Sequence, residues 1–504
     1  MNRLSIRKTI KNYYRMMPLS LNELKESYFS QFFNILVINA VLVLWQLVYL
    51  SIRIPYVNEL IPFWYSKPWG EAQLAPKNYL YLIPVLSVFI LIAGMVLPIL
   101  VKKFFIKYLP HMMALIVTVS NVVLTYSLMR LIFISSEPFP SLINPLHLQL
   151  IMPFLLAFLL VYLIAPYFID FARDRGIITN PLLHSHPGMV LLQPSTRGGG
   201  VVFTAGFLLT SLFFVALSKQ IIGIYLVALI LAIMGLADDY QNTHPRSLLR
   251  FLEAPWLRLL LLFVLVTFLT LFGIQIDFIG NPFGGIVQLT QFSFVPAVIT
   301  VIWIVWILNL LSWSNGIDGQ YSGIIGIASV VIAFLALRFS PLLPEHVDYA
   351  QLAIAAAGAS FGLVKYTWNP SKILWGFSAM SAGLVMASLS VLISSKIATS
   401  ILIVLIPFLD AVVTIIRRLI QGKNPLKGDR GHLHHLLMDR GWSVRKIAAF
   451  YWITTAAFGL IGLWASEEYS ILVTLTLALL VASFIVLVNL ESLTKRPILQ
   501  VTGK

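Results

Sequence analysis

The chain has 504 residues, 59% of them hydrophobic and only 11% charged, against about 25% charged in a typical soluble domain. A water-soluble globule is excluded, and the net charge of +15 has no soluble basic face that would suit nucleic acid. The absence of cysteine removes disulfides, thiolate metal sites and cysteine nucleophiles together.

The first thirty residues carry Arg3, Arg7, Lys8, Lys11 and Arg15 without a short apolar core and small-residue cleavage site. No cleaved signal peptide is expected, and the first span directs insertion. Apolar runs centred near residues 41, 91, 122, 158, 208, 228, 265, 303, 330, 358, 383, 408, 456 and 479 predict about fourteen membrane-crossing helices. The expected fold is an all-α polytopic membrane bundle, since the alternation that an outer-membrane barrel needs is not seen. Threading the spans gathers Lys102, Lys103, Lys107, Arg173, Arg175, Arg197, Arg246, Arg250, Lys365, Lys372 and the segment 417–446 on the side of both termini. That side is cytoplasmic by the positive-inside rule. The three spans before residue 145 offer no chemistry and read as an N-terminal membrane extension, 1–145. The core runs over 146–490 and a cytoplasmic tail over 491–504.

Acids are scarce, and a carboxylate at a span costs a few kcal/mol unless paired or solvated, so their positions are informative. Asp238 and Asp239 end the sixth span in MGLADDYQNTHPRSLLRFL, Asp318 follows the eighth in WILNLLSWSNGIDGQYSG, and Asp410 lies inside the twelfth in IPFLDAVVTIIRRL. An adjacent pair at a helix end points one side chain to the bundle and one to water. Such a pair suits a general base or a divalent metal, and equally a solvated helix terminus. Asn309, Asn315, Gly316, Asp318 and Gly319 combine oxygen ligands with backbone that can approach an anion, or form a simple turn.

Two basic segments complete the set. In RRLIQGKNPLKGDRGHLHHLLMDRG, His432 and His435 are three apart and would share a helix face. With Arg430 and His434 they suit a phosphate-rich anion better than zinc, which wants more ligands. Arg197 followed by Gly198, Gly199 and Gly200 opens a span, either as a phosphate-binding helix start or for close helix packing.

The order Arg-Gly-Gly-Gly, Asp-Asp-Tyr, Asn…Asn-Gly-x-Asp-Gly and Asp-Arg-x-His-Leu-His-His resembles the polyprenyl-phosphate N-acetylhexosamine-1-phosphate transferases, glycosyltransferase family 4. It is most similar to the branch that takes simple UDP-N-acetylhexosamines. The resemblance implies a cytoplasm-facing enzyme of the cell membrane that moves a sugar 1-phosphate from a UDP-sugar to undecaprenyl phosphate, releases UMP and starts a lipid-linked surface glycan. It implies Mg²⁺, with Mn²⁺ as the other ion to test, on Asp239, Asp318 and Asn315. Catalytic roles would fall to Asp238, Asp239 and Asp318, and substrate binding to Asn309, Asn315, Arg197, Arg430, His432, His434 and His435. The implied partners are polyprenyl phosphate, a UDP-sugar, the bilayer and a second copy in a homodimer. The chain departs from the family pattern at Ser312, where an asparagine is usual, and at Phe377, where an aspartate is usual. Asn180, Leu182, Leu183 and His184 also differ from it. These departures give a second reading, a degenerate member that binds lipid-linked sugar or acts as a membrane scaffold.

Overall fold

The computed structural model describes residues 38–64, 70–100, 109–136, 145–181, 193–244, 247, 254–280, 285–339, 341–393, 397–423, 430–465 and 470–494. The basic N-terminal stretch, Lys102, Lys103, Lys107, the His-Ser-His-Pro of 184–187 with Leu182 and Leu183, Arg246, Arg250 and residues 495–504 lie outside the described residues. The chain divides into two compact units, Met1–Asn144 and Pro145–Lys504.

The first unit contains α1 (Ile38–Tyr56), an antiparallel pair β1 (Leu60–Pro62) and β2 (Leu74–Pro76), α2 (Leu82–Leu100) and α3 (Leu109–Ser135). Its helices are apolar outward and joined by amides inward. Asn39 donates to Thr118 Oγ1 at 2.9 Å, Asn121 donates to Asn39 Oδ1 at 2.8 Å, and Gln46 donates to Thr125 Oγ1 at 2.8 Å. Lipid offers no competing hydrogen bonds, so such a ladder fixes the register of α1 on α3.

The second unit comprises α4 (Pro145–Asp174), β3 (Ile178–Thr179), β4 (Ser195–Arg197), α5 (Gly199–Phe214), α6 (Lys219–Thr243), α7 (Pro255–Leu271), β5 (Phe278–Gly280), β6 (Ile286–Gln288), α8 (Val295–Trp313), α9 (Gln320–Ala336) and α10 (Pro344–Thr367). It continues with β7 (Ile373–Leu374), α11 (Met380–Leu392), α12 (Ile397–Ile403), α13 (Leu405–Ile420), α14 (Leu433–Asp439), α15 (Val444–Trp464) and α16 (Ser470–Thr494). Of the described helices long enough to cross a membrane, α10 is the most buried. It presses against α4 through small residues: a β-carbon at Gly358 would lie 2.2 Å from Phe154 O, and one at Gly362 would lie 2.6 Å from Phe158 O. Backbones this close gain dispersion contacts that lipid cannot replace.

Among the described residues, nine helices are long and apolar enough to cross a membrane, as a polytopic helical membrane protein requires. Each of the fourteen expected centres falls in a helix, but Gly199–Phe214, Pro255–Leu271, Gln320–Ala336 and Phe377–Leu392 are shorter. At 1.5 Å per residue these do not reach across about 30 Å of hydrocarbon unaided. The expected span near 408 is two helices, α12 and α13, because Pro407 has no N–H for the carbonyl four residues back. The expected tail boundary at 490 also moves, since α16 continues to Thr494.

The small sheet β3-β4-β7 sets the position of the glycines that open α5. Its β4 and β7 are parallel with Arg197 opposite Leu374, and Gly200 N–H extends the pairing to Trp375 O at 3.2 Å. This register brings the start of α5 to the turn that precedes α11.

Candidate functional site

The turn before α11 is a single 3-10 segment, Phe377–Ala379, and it is clamped from two sides. A β-carbon at Gly200 would lie 2.1 Å from Ser378 O, and one at Gly235 would lie 2.3 Å from Ser378 Cα. Both neighbours are backbone and cannot rotate away. Gly235→Ala is therefore expected to destabilise the chain by about 1–3 kcal/mol and to displace the turn. Thermal unfolding of the variant checks this, and an unchanged unfolding temperature would contradict the clamp.

Asp239 is fully buried on α6 and points at this turn. Its Oδ1 accepts from Arg197 Nη1 at 3.2 Å, and its oxygens accept from Phe377 N–H at 3.1 and 3.2 Å. Gly376 has φ +67°, and a β-carbon there would lie 1.9 Å from Asp239 Oδ2, so only glycine admits the carboxylate. Arg197 is held in turn by Thr179 Oγ1 at 2.5 Å. From the other side Asn315 Nδ2 donates to Gly376 O at 3.3 Å. Asp239 and Asn315 thus meet on the backbone of Gly376 and Phe377, and Arg197 joins them through Asp239, three residues of three separate motifs.

Asp238, one residue earlier, faces differently. It is paired with Arg258 of α7 and accepts from Asn242 Nδ2 at 2.7 Å. The Arg258 guanidinium also lies 5.1 Å from the centre of the Phe377 ring. Arg258 belongs to none of the motifs read from the sequence. Its signal is its place, because an arginine in the first turn of an apolar helix is costly without a partner.

Asp318 sits in the turn between α8 and α9, where its Oδ2 accepts from Asn369 Nδ2 at 3.0 Å and from Ser371 N–H at 3.1 Å. It fastens the Asn369–Ser371 segment. Asn309 donates to Val305 O of its own helix at 2.8 Å and is not brought to the Gly376 turn by any hydrogen bond. Among the described residues no group of three or more His, Asp or Glu side chains is placed to hold a metal ion. Each aspartate of the expected Mg²⁺ set already serves another partner, so these residues do not fit a resident divalent cation.

The histidine segment packs on the Asn-Gly turn. His432 is the N-cap residue of α14 in extended conformation, so the helix face expected for His432 and His435 is not formed; only His434 and His435 are helical. Asp410, buried on α13, accepts from His432 Nδ1 at 3.0 Å and from Leu433 N–H at 2.8 Å. The rings of His432 and His434 are parallel at 5.7 Å, and His434 lies 4.3 Å from His435. His434 covers Gly316, where a β-carbon would lie 2.6 Å from Nε2. Arg430 pairs with Asp439 at 2.9 Å across the exposed side of α14.

Burial, reinforced by Arg430, pushes His435 from 6.5 down to about 4. Burial, reinforced by His435 and His432, holds His434 well below its ordinary value. Both rings are neutral at pH 7. The unfolded chain binds the His435 proton near pH 6.5 and the folded chain only near pH 4, so stability is lost as pH falls through that window, and the lowering at His434 acts in the same direction. The unfolding temperature is expected to drop between pH 7 and pH 5, and His435→Gln should flatten the drop. A drop of the same size in that variant would assign the effect elsewhere.

The family model for glycosyl transferase family 4 matches residues 221–394, a stretch that holds Asp238, Asp239, Asn309, Asn315, Asp318 and Phe377. That stretch is similar to glycosyl transferase family 4. Arg197 and the histidine segment lie outside the matched stretch. The chain is 24% identical over 213 residues to a decaprenyl-phosphate N-acetylglucosaminephosphotransferase of Mycolicibacterium smegmatis, covering 37% of this chain and 52% of that one. It thus spans about half the length of its mycobacterial relatives. It is 24% identical over 309 residues to a probable undecaprenyl-phosphate N-acetylglucosaminyl 1-phosphate transferase of Bacillus subtilis, covering 59% and 80%. A phospho-N-acetylmuramoyl-pentapeptide-transferase of Wolbachia sp. subsp. Brugia malayi is 24% identical over 315 residues, covering 60% and 94%.

Proposed function

We propose that this protein transfers an N-acetylhexosamine 1-phosphate from a UDP-sugar to polyprenyl phosphate at the cytoplasmic face of the cell membrane. An oxygen of the lipid phosphate forms a bond to the sugar-bearing phosphorus. The bond from that phosphorus to the bridging oxygen breaks, and UMP leaves with the electron pair. The observation that carries this reading is the convergence of Asp239, with Arg197 bound to it, and Asn315 on the Gly376–Phe377 backbone.

The chemistry suits such a site. Reaction between two phosphate groups needs charge neutralisation more than covalent help. A phosphomonoester is largely dianionic at pH 7, its second pKa being about 6, so the lipid phosphate needs no base to become a nucleophile. The Asp238 carboxylate, held by Arg258, fits an orienting role better than that of a base. The neutral His434 and His435 would face the sugar or the nucleotide from above Gly316. None of these steps uses Mg²⁺, which the residues present do not fit.

The test is purified full-length protein with undecaprenyl phosphate and a panel of UDP-N-acetylhexosamines, followed for UMP and for sugar-diphospholipid, with divalent ions and with EDTA. Product from one sugar supports the reading, and no UMP from any of them overturns it. The second reading, a binder of lipid-linked sugar without catalysis, is favoured by the Phe377 ring under Arg258. Restoration of UMP release by Phe377→Asp with Ser312→Asn, from an inactive parent, would select it.

A further inference from the structure

The side chains of Asp238 and Asp239 are 4% and 0% exposed, whereas those of the arginines that hold them, Arg258 and Arg197, are 26% and 27% exposed. In each pair the arginine is thus the member that reaches solvent. The two ion pairs balance formally, so a divalent ion among them would add an uncompensated double charge beside two guanidiniums in a largely desolvated place. What an oxyanion would find there is the N–H groups of the two guanidiniums, which a cation cannot use. Magnesium asks for near-octahedral oxygen ligands, and the Asp239 oxygens are taken up by Arg197 and by Phe377 N–H.

Phe377 contributes by what it is not. A carboxylate beneath Arg258 would bind it as a second ion pair. An aromatic face attracts a cation by only about 0.5–2 kcal/mol, so the ring orients Arg258 without bringing a further negative charge to it. Guanidinium also presents its N–H groups as a planar fork, which matches phosphate oxygens as a pair.

We propose that Arg258 and Arg197 form an anion site that takes a phosphate or diphosphate group directly, through their guanidinium N–H groups and without a divalent cation. The inference rests on the transferase reading for the identity of the anion, and on the geometry alone for the absence of a metal requirement.

Two titrations of the purified full-length chain test it: Mn²⁺, read by electron paramagnetic resonance, and inorganic pyrophosphate in excess EDTA, read by thermal unfolding. The wild-type chain is expected to show no saturable Mn²⁺ binding and to unfold at a higher temperature with pyrophosphate in EDTA. Arg258→Gln should need at least about tenfold more pyrophosphate for the same rise, and Arg258→Lys should fall between the two. Saturable Mn²⁺ binding that Asp239→Asn abolishes overturns the proposal, as does an unshifted pyrophosphate response in Arg258→Gln. Should that variant fail to fold, the wild-type titrations still decide, because protection that is missing in EDTA and appears only with Mn²⁺ overturns it. A chain that releases no UMP yet is protected by pyrophosphate in EDTA loses the transferase reading and keeps this one.

Discussion

Asp239→Ala is expected to abolish UMP release and to lower the unfolding temperature more than any other single change at the site. The carboxylate is fully buried and holds two donors, Arg197 Nη1 at 3.2 Å and Phe377 N–H at 3.1 Å. Removing one partner of such a pair costs about 3–5 kcal/mol, since the remaining charge stays in a place of low polarity. Asp239→Asn separates the two parts of the effect. Its amide oxygen can still accept from Phe377 N–H, so the turn should survive, but the charge opposite Arg197 is gone. Turnover in the asparagine variant should fall by roughly 10²-fold or more, the scale seen when one electrostatic stabiliser is removed from a reacting centre. Thermal unfolding and UMP release measured together decide it. Full turnover in Asp239→Asn would mean that Asp239 only braces the fold.

The helices were legible because apolar length is a strong signal, and each expected span centre lies in one. Their breaks were less so. Pro407 splits a run that composition alone presents as continuous, since the count of apolar residues does not register a missing N–H. The ladder of Asn39, Gln46, Thr118 and Asn121 was invisible as a ladder, because its bonded partners are 75 or more residues apart and no local pattern links the two sides.

At the site, the scarcity of acids pointed to Asp238, Asp239 and Asp318, and the structure gives each a buried or hydrogen-bonded position. What spacing could not supply was the partner of each. Position 377 is judged from its side chain when read in sequence, yet the contact with Asp239 is made by its backbone N–H. A change from carboxylate to ring leaves that bond available and alters only what Arg258 meets. Asp318, in a stretch rich in turn formers, proves to be the acceptor that fastens a second turn, from Asn369 to Ser371. Asp410 stood out as an acid within an apolar run, but its partner His432 lies 22 residues on, across a break in the helices.

That separation makes Asp410 the second decisive position. Helix α14 has only seven residues, too few to hold itself in water, where isolated helices shorter than about 12–15 residues are marginal. Its start depends on Asp410, whose two oxygens take Leu433 N–H at 2.8 Å and His432 Nδ1 at 3.0 Å. A carboxylate from another helix thus does the work of an N-cap side chain, whose removal costs about 0.5–2 kcal/mol. The histidine that it fixes is stacked on His434, and His434 is the ring that covers Gly316. Asp410→Ala should release this chain of contacts at its first link. The amides of Leu433 to Leu436 are expected to exchange with solvent far faster than in the wild type, and UMP release should fall with them, while the Arg197–Asp239 turn stays protected. Asp410→Asn keeps an acceptor for Leu433 N–H, so it should restore amide protection more fully than it restores turnover. Slow exchange in Asp410→Ala would show that packing against α15 and α16, rather than the buried carboxylate, holds the histidines over Gly316.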